Sequence, residues 1–256
     1  MPYYDAPSTD LKRQLFLQRA AHTAAEDLAA GNPYLNASTM DALDDLSVQF
    51  VASYHQLAVR RTERMAAVET GKLALDTLQA RLRDFWQALR RRARRLGQPV
   101  SVLGLYQLPG DGSQPNPTRR DGWIALGDAA VEGEGLAQTA GYPPMANPAI
   151  SEVQTALLAL KIQVLRIVNA DRNYDRTQEA VAALRPPVDL LIKRVMAELR
   201  VSLVGLDEPS FRRVARRYGA EFKPYPGEEP QNELVEAPIP EPAPEGALLA
   251  EAAATG

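Results

Sequence analysis

The chain has 256 residues, no cysteine, two histidines and a formal net charge of −3. That length can bury one large core or two modest ones. The composition excludes disulfides, thiolate zinc sites, iron–sulfur clusters and cysteine nucleophiles, and His22 and His55 supply a histidine-built metal site poorly. Aromatic residues make up only 6% while alanine and leucine abound, which favours helix over sheet. No apolar run approaches the roughly 20 residues that span a bilayer. The start, Met1-Pro2-Tyr3-Tyr4-Asp5, lacks the basic and apolar regions of a signal peptide. The expected location is cytoplasmic.

The small net charge hides an asymmetry. From Pro226 onward there are seven glutamates and no lysine or arginine, so residues 1–225 carry 29 basic against 25 acidic groups. Seven arginines against the single acid Asp84 fall within residues 81–96. A basic end and an acidic tail are the main electrostatic features.

Residues 1–7 read as loose. A first helix starts at Ser8 or Thr9, carries Leu11, Leu15, Phe16, His22 and Leu28 on its apolar face, and stops at Gly31-Asn32-Pro33. The short link to Ser38 turns the chain back on itself, and Ser38-Thr39-Met40-Asp41 offers capping chemistry for the next helix. That second helix, 42–97, is the longest element. Its first half carries Leu43, Leu46, Phe50, Tyr54, Leu57, Met65 and Val68, and its second Leu75, Leu78, Leu82, Phe85, Leu89 and Leu96. Gly71 weakens it by about 1 kcal/mol relative to alanine. Gly97 ends it as a left-handed residue behind a cationic last turn.

Residues 98–147 break the pattern and read as a loop-rich insertion or cap packed by Trp123 and Tyr142. It holds a short strand over 100–106, turn chemistry at Pro109-Gly110-Asp111-Gly112 and a short helix around Trp123 to Val131. Asn147-Pro148 then starts a helix over 148–204 with Ile150, Val153, Leu157, Leu160, Val164, Ile167 and Val168 on one face. Arg185-Pro186-Pro187 is expected to kink or break it. Its length matches that of 42–97, which predicts an antiparallel pair. Asp207 caps a last short helix that Gly219 ends. The predicted fold is all-α: an elongated, up-and-down antiparallel helical bundle or hairpin over 8–225, with a disordered or extended Pro/Glu-rich tail over 226–256.

The residues singled out for interaction are Arg90, Arg91, Arg92, Arg94 and Arg95, and Arg212, Arg213, Arg216 and Arg217. The segment 89–97 is echoed at 211–219, with six of nine positions identical, but the echo fades upstream and reads as shared helix-end composition rather than duplication. The bland account is cationic last turns that complement the helix dipole. The sharper one is docking of an anion, with the acidic tail as nearest candidate, nucleic acid possible but not favoured, and a membrane surface least of all. No catalytic, cofactor or metal motif stands out. The histidines read as interhelical side chains, and an enzyme site, if present, would pair Arg119, Arg120 and Asp121 with Trp123. The expectation is a non-enzymatic structural or scaffolding protein that self-associates into a homo-oligomer, cofactor-free. The alternative is an adaptor or nucleic-acid-associated module using the arginine-rich helix ends.

Overall fold

A computed structural model describes residues 2–110 and 113–224. The tail 226–256, its docking on the arginines, and part of the 109–112 turn lie outside the described residues. The fold is all-α, with six helices and one two-stranded sheet among the described residues. The described residues divide into a small unit of residues 2–6 with 220–224 and a helical unit within residues 7–219. In the small unit, β1 (Tyr3–Asp5) pairs antiparallel with β2 (Glu221–Lys223), Tyr4 against Phe222, with Lys223 Nζ 2.6 Å from Asp5. The start of the chain is therefore ordered rather than loose. Its strand is paired by residues more than 200 positions away, which local pattern cannot reveal.

In the helical unit, α1 (Asp10–Ala29) is followed by α2 (Ala37–Arg95), α3 (Ser101–Leu105), α4 (Arg120–Thr139), α5 (Ile150–Ser202) and α6 (Glu208–Arg217). Thr9 caps α1, its hydroxyl accepting the Lys12 N–H. Gly31, Gly97 and Gly141 close α1, α2 and α4 with positive φ, each with the paired backbone bonds of a Schellman turn. The long helices run antiparallel: Ser38 meets Arg194, Arg64 meets Asp171, Gly71 meets Ile167 and Arg81 meets Glu152. At 59 residues, α2 is about 90 Å long.

Several expectations change. α5 continues through Arg185-Pro186-Pro187 without interruption. Both prolines face solvent, as do Ala182 and Ala183, whose carbonyls lose their helical donors and are left to water. The 98–147 segment is mostly helical: α3 replaces the expected strand because Val102, Leu103 and Tyr106 are buried at helical spacing. α4 runs 20 residues because its inward face is made of small residues (Gly127, Ala130, Gly133, Ala137) that a search for large apolar side chains passes over. On α1, Leu11, Leu15, His22 and Leu28 face outward, and the buried face is Phe16, Leu17, Ala20, Thr23, Ala24 and Asp27. Met65 and Val68 also lie outside the α2 seam.

The unit repeats itself. Gly31-Asn32-Pro33-Tyr34-Leu35 recurs 110 positions later as Gly141-Tyr142-Pro143-Pro144-Met145, with the glycine at positive φ and the last residue buried in both. At the same register, buried Leu17, Ala20, Thr23, Ala24 and Asp27 of α1 match buried Gly127, Ala130, Gly133, Glu134 and Ala137 of α4. Buried Leu43, Phe50, Gly71, Leu78, Leu82 and Leu89 of α2 match Val153, Leu160, Val181, Val188, Ile192 and Leu199 of α5. Packing is reciprocal: α1 lies on α2, α5 and α6, and α4 lies on α5, α2 and α3. The matched positions Arg64 and Tyr174 face each other, guanidinium 5.3 Å from ring centre, where an approximate two-fold axis passes. The arginine echo at 89–97 and 211–219 is spaced by 122 and joins unmatched elements, α2 and α6, so it is indeed helix-end composition.

Each end of the hairpin carries a core. At one end Trp86 stacks on Trp123, centroids 6.4 Å apart, among Leu82, Phe85, Leu89, Tyr106 and Leu157. At the other, Phe16, Leu43, Phe50, Ile192, Leu199 and Phe211 are buried where α1, α2, α5 and α6 meet. There the matched positions of the Trp123 region hold a polar clamp instead. Arg13 binds Asp189 in a fork at 2.7 and 3.1 Å, and Arg185 binds Asp10 at 2.9 and 2.8 Å.

Candidate functional site

Each end core is pinned by a buried tyrosine on a buried carboxylate. Tyr106 Oη donates to Glu134 at 2.7 Å, and the Met145 N–H donates to the other Glu134 oxygen at 2.7 Å. At the opposite end Tyr218 Oη donates to Asp27 at 2.6 Å, and Arg217 donates to the same carboxylate at 3.1 Å. Burial, then the neighbouring carboxylate, raises the pKa of both phenols, so each stays a donor at any physiological pH. These pairs tie α3 to α4 and α6 to α1. Neither was visible as a sequence motif; the 110-residue recurrence of Gly-x-Pro-x-apolar was the signal that could have exposed the matched ends.

The predicted arginines divide into two groups at opposite ends of the hairpin, and the structure does not bring them together. In the first group, Arg90 donates to the Ser113 carbonyl at 2.7 Å and Arg92 to the Pro143 carbonyl at 2.6 Å, holding loops. Arg91, Arg94 and Arg95 are exposed. In the second group, Arg212 is buried, Arg217 pairs with Asp27, Arg216 is half-buried and Arg213 faces outward. The suggested grouping of Arg119, Arg120 and Asp121 with Trp123 does not form: Trp123 is buried under Arg83, while Arg119 and Asp121 face solvent. His22 and His55 are exposed rather than interhelical, His22 lying 3.2 Å from Glu26 one turn on. Among the described residues no group of three or more acidic or histidine side chains could hold a metal ion.

Two surface features remain. The first is a groove of about 630 Å³ at the α3/α4 end, lined by Arg81, Asp84, Arg91, Arg92, Arg95 and Glu152 with the 144–148 loop. Its matched place at the α1/α6 end is a smaller notch of about 310 Å³, lined by Tyr34, Asn36, Glu198, Val201 and Ser202. Glu198 satisfies that notch internally, accepting from the Thr39 hydroxyl at 2.6 Å, the Asn36 N–H at 2.9 Å and Arg194 at 3.0 Å. Burial alone raises the Glu198 pKa, but those bonds together outweigh it and the net shift is below the usual 4.5. A depressed carboxylate pKa gives stability that is present above about pH 4.5 and lost as pH falls through the lowered value. Melting curves of the native chain and Glu198→Gln should therefore differ at about pH 7 and converge towards about pH 3. A gap unchanged by pH would contradict that assignment.

The second feature is the middle of the hairpin. No α2 side chain between 51 and 70 and no α5 side chain between 168 and 180 is buried, because among the described residues no third helix reaches this section. Large apolar residues there and beside it face outward: Val59, Met65, Val68 and Leu73 on α2, and Leu158, Ile162 and Leu165 one turn apart on α5. Although Lys161 and Arg166 interrupt the apolar stretch of its first half, α5 is long and apolar enough by composition to cross a membrane. An 18-residue window has a mean hydropathy of 1.3, and 28% of it is buried. No family model, no curated protein and no solved structure matches the chain.

Proposed function

We propose that this chain is a non-enzymatic helical scaffold that associates with further copies of itself through the two-helix section of its hairpin. The observation that carries this reading is the outward stripe Leu158, Ile162 and Leu165 beside a stretch that only two helices cover. Two antiparallel helices bury one seam between them and leave their other apolar residues in water. Burying each such side chain against a second copy contributes up to about 1.5–3 kcal/mol. Coiled-coil-like assembly of long helices supplies such a cover without new elements.

A Leu158→Lys/Leu165→Lys double variant tests this by sedimentation velocity. Both side chains are exposed, so helicity should be unchanged while the larger species dissociates. An identical sedimentation profile in the native chain and the variant would rule out this surface as the contact.

A further inference from the structure

We propose that the groove at the α3/α4 end is a binding site for a small-molecule phosphate monoester. The two halves of the chain provide an internal comparison. At the α1/α6 end, the loop after the short helix is held by the Ser202 hydroxyl donating to the Tyr34 carbonyl at 2.8 Å. At the α3/α4 end, the matched residue Arg92 donates to the Pro143 carbonyl at 2.6 Å. One donor suffices for that tie, so the tie does not account for a cluster of guanidinium groups. Yet Val201, Ser202 and Gly205 are matched by Arg91, Arg92 and Arg95, and the compact notch is matched by a cavity of twice the volume.

The charges point to a dianion. Arg81 is paired with Glu152 at 2.9 Å, which leaves Arg91, Arg92 and Arg95 facing the groove against Asp84 alone. A phosphate monoester carries about −1.5 to −2 at neutral pH, matching that surplus. Arg92 is the innermost of the three: Nη1 is fixed by the Pro143 carbonyl, its Nε and Nη2 are buried, and its charge lies beside the Tyr106 hydroxyl. Arg91 and Arg95 are the exposed donors that an anionic oxygen in the groove can reach, and the fixed charge of Arg92 adds to their attraction. The end of α2 presents the negative pole of its dipole here, so binding rests on the side chains rather than on backbone N–H groups. The cavity lies within the ~300–1,000 Å³ range of small-molecule sites, so the ligand's organic part has room beside its phosphate.

Calorimetric titration of the full chain with phenyl phosphate, inorganic phosphate, phenol and a short DNA duplex at low ionic strength tests this. Phenyl phosphate should bind saturably with one site per chain, inorganic phosphate more weakly, and phenol not at all. Exchanging the groove arginines for their matched residues, Arg91→Val/Arg92→Ser/Arg95→Gly, should weaken binding by about tenfold or more. If that variant does not fold, Arg95→Ala and Arg91→Ala, both at exposed positions, should each weaken it measurably. Absence of saturable binding, inorganic phosphate binding as tightly as the monoester, unchanged affinity in the variants, or binding confined to the duplex would each overturn the proposal. None of these readouts depends on self-association.

Discussion

Glu134→Leu is expected to lower the free energy of unfolding by about 3–5 kcal/mol, measured by denaturant titration followed by circular dichroism. Glu134 is 2% exposed and accepts from the Tyr106 hydroxyl on one carboxylate oxygen and from the Met145 N–H on the other, where the Gln138 amide is a longer donor at 3.4 Å. Leucine fills a similar volume but leaves both donors buried with no acceptor. The phenol and the amide then each bear a desolvation cost of about 1–3 kcal/mol, beyond the lost charge-assisted bonds. Tyr106→Phe removes one donor and keeps the rest, so its loss should be smaller, about 1.5–3 kcal/mol. Asp27→Leu should cost less than Glu134→Leu, because it strands only the buried Tyr218 hydroxyl, while Arg217 is 41% exposed and keeps water and Glu26 as partners. A loss below about 1 kcal/mol for Glu134→Leu would mean that α3 and α4 are held by apolar packing alone.

Two neighbouring glycines should respond in opposite directions to alanine. A Cβ at Gly133 would sit 2.6 Å from the Leu105 carbonyl oxygen and 2.8 Å from Tyr106 Cα, both backbone atoms that cannot rotate away. The gain in helix propensity, about 1 kcal/mol, is outweighed by overpacking of about 1–3 kcal/mol and by the displacement of Tyr106 from Glu134. Gly133→Ala should therefore destabilise by about 2 kcal/mol. At Gly135, in the same helix, a Cβ meets nothing within 4 Å, so Gly135→Ala should stabilise by about 0.5–1 kcal/mol. Equal effects at both sites would contradict the close α3–α4 approach. The matched residue of the other half, Thr23, uses its position differently. Its hydroxyl donates to the Arg217 carbonyl at 2.8 Å, where Gly133 lets the Leu105 carbonyl approach.

The long helices were legible because Leu43, Phe50, Leu78, Leu82 and Leu89 are large and recur at helical spacing. Helix ends at Thr9, Gly31, Gly97 and Asp207 were legible from capping chemistry, since those signals are local. The first half of α4, around buried Trp123, was legible, but the rest was missed because it buries Gly, Ala and one glutamate, which carry no hydrophobic signal. The continuity of α5 through Pro186-Pro187 depends on which side of the helix those residues fall, and only the packed pair decides that. The arginine run was legible as charge, but not its division between loop ties (Arg90 and Arg92) and open groove (Arg91 and Arg95), which depends on residues 113 and 143. The internal repeat escaped because matched core positions exchange phenylalanine, leucine, isoleucine and valine freely. Burial repeats at a spacing of 110 while identity does not.

On the proposed function, further copies of the chain cover the middle of the hairpin that one copy leaves exposed. Light scattering on the 256-residue chain, coupled to size-exclusion chromatography and run over a wide range of concentrations, reads this out as a mass. The mass should rise with concentration to at least twice the 28.0 kDa of one chain. A mass of 28.0 kDa at every concentration would contradict it.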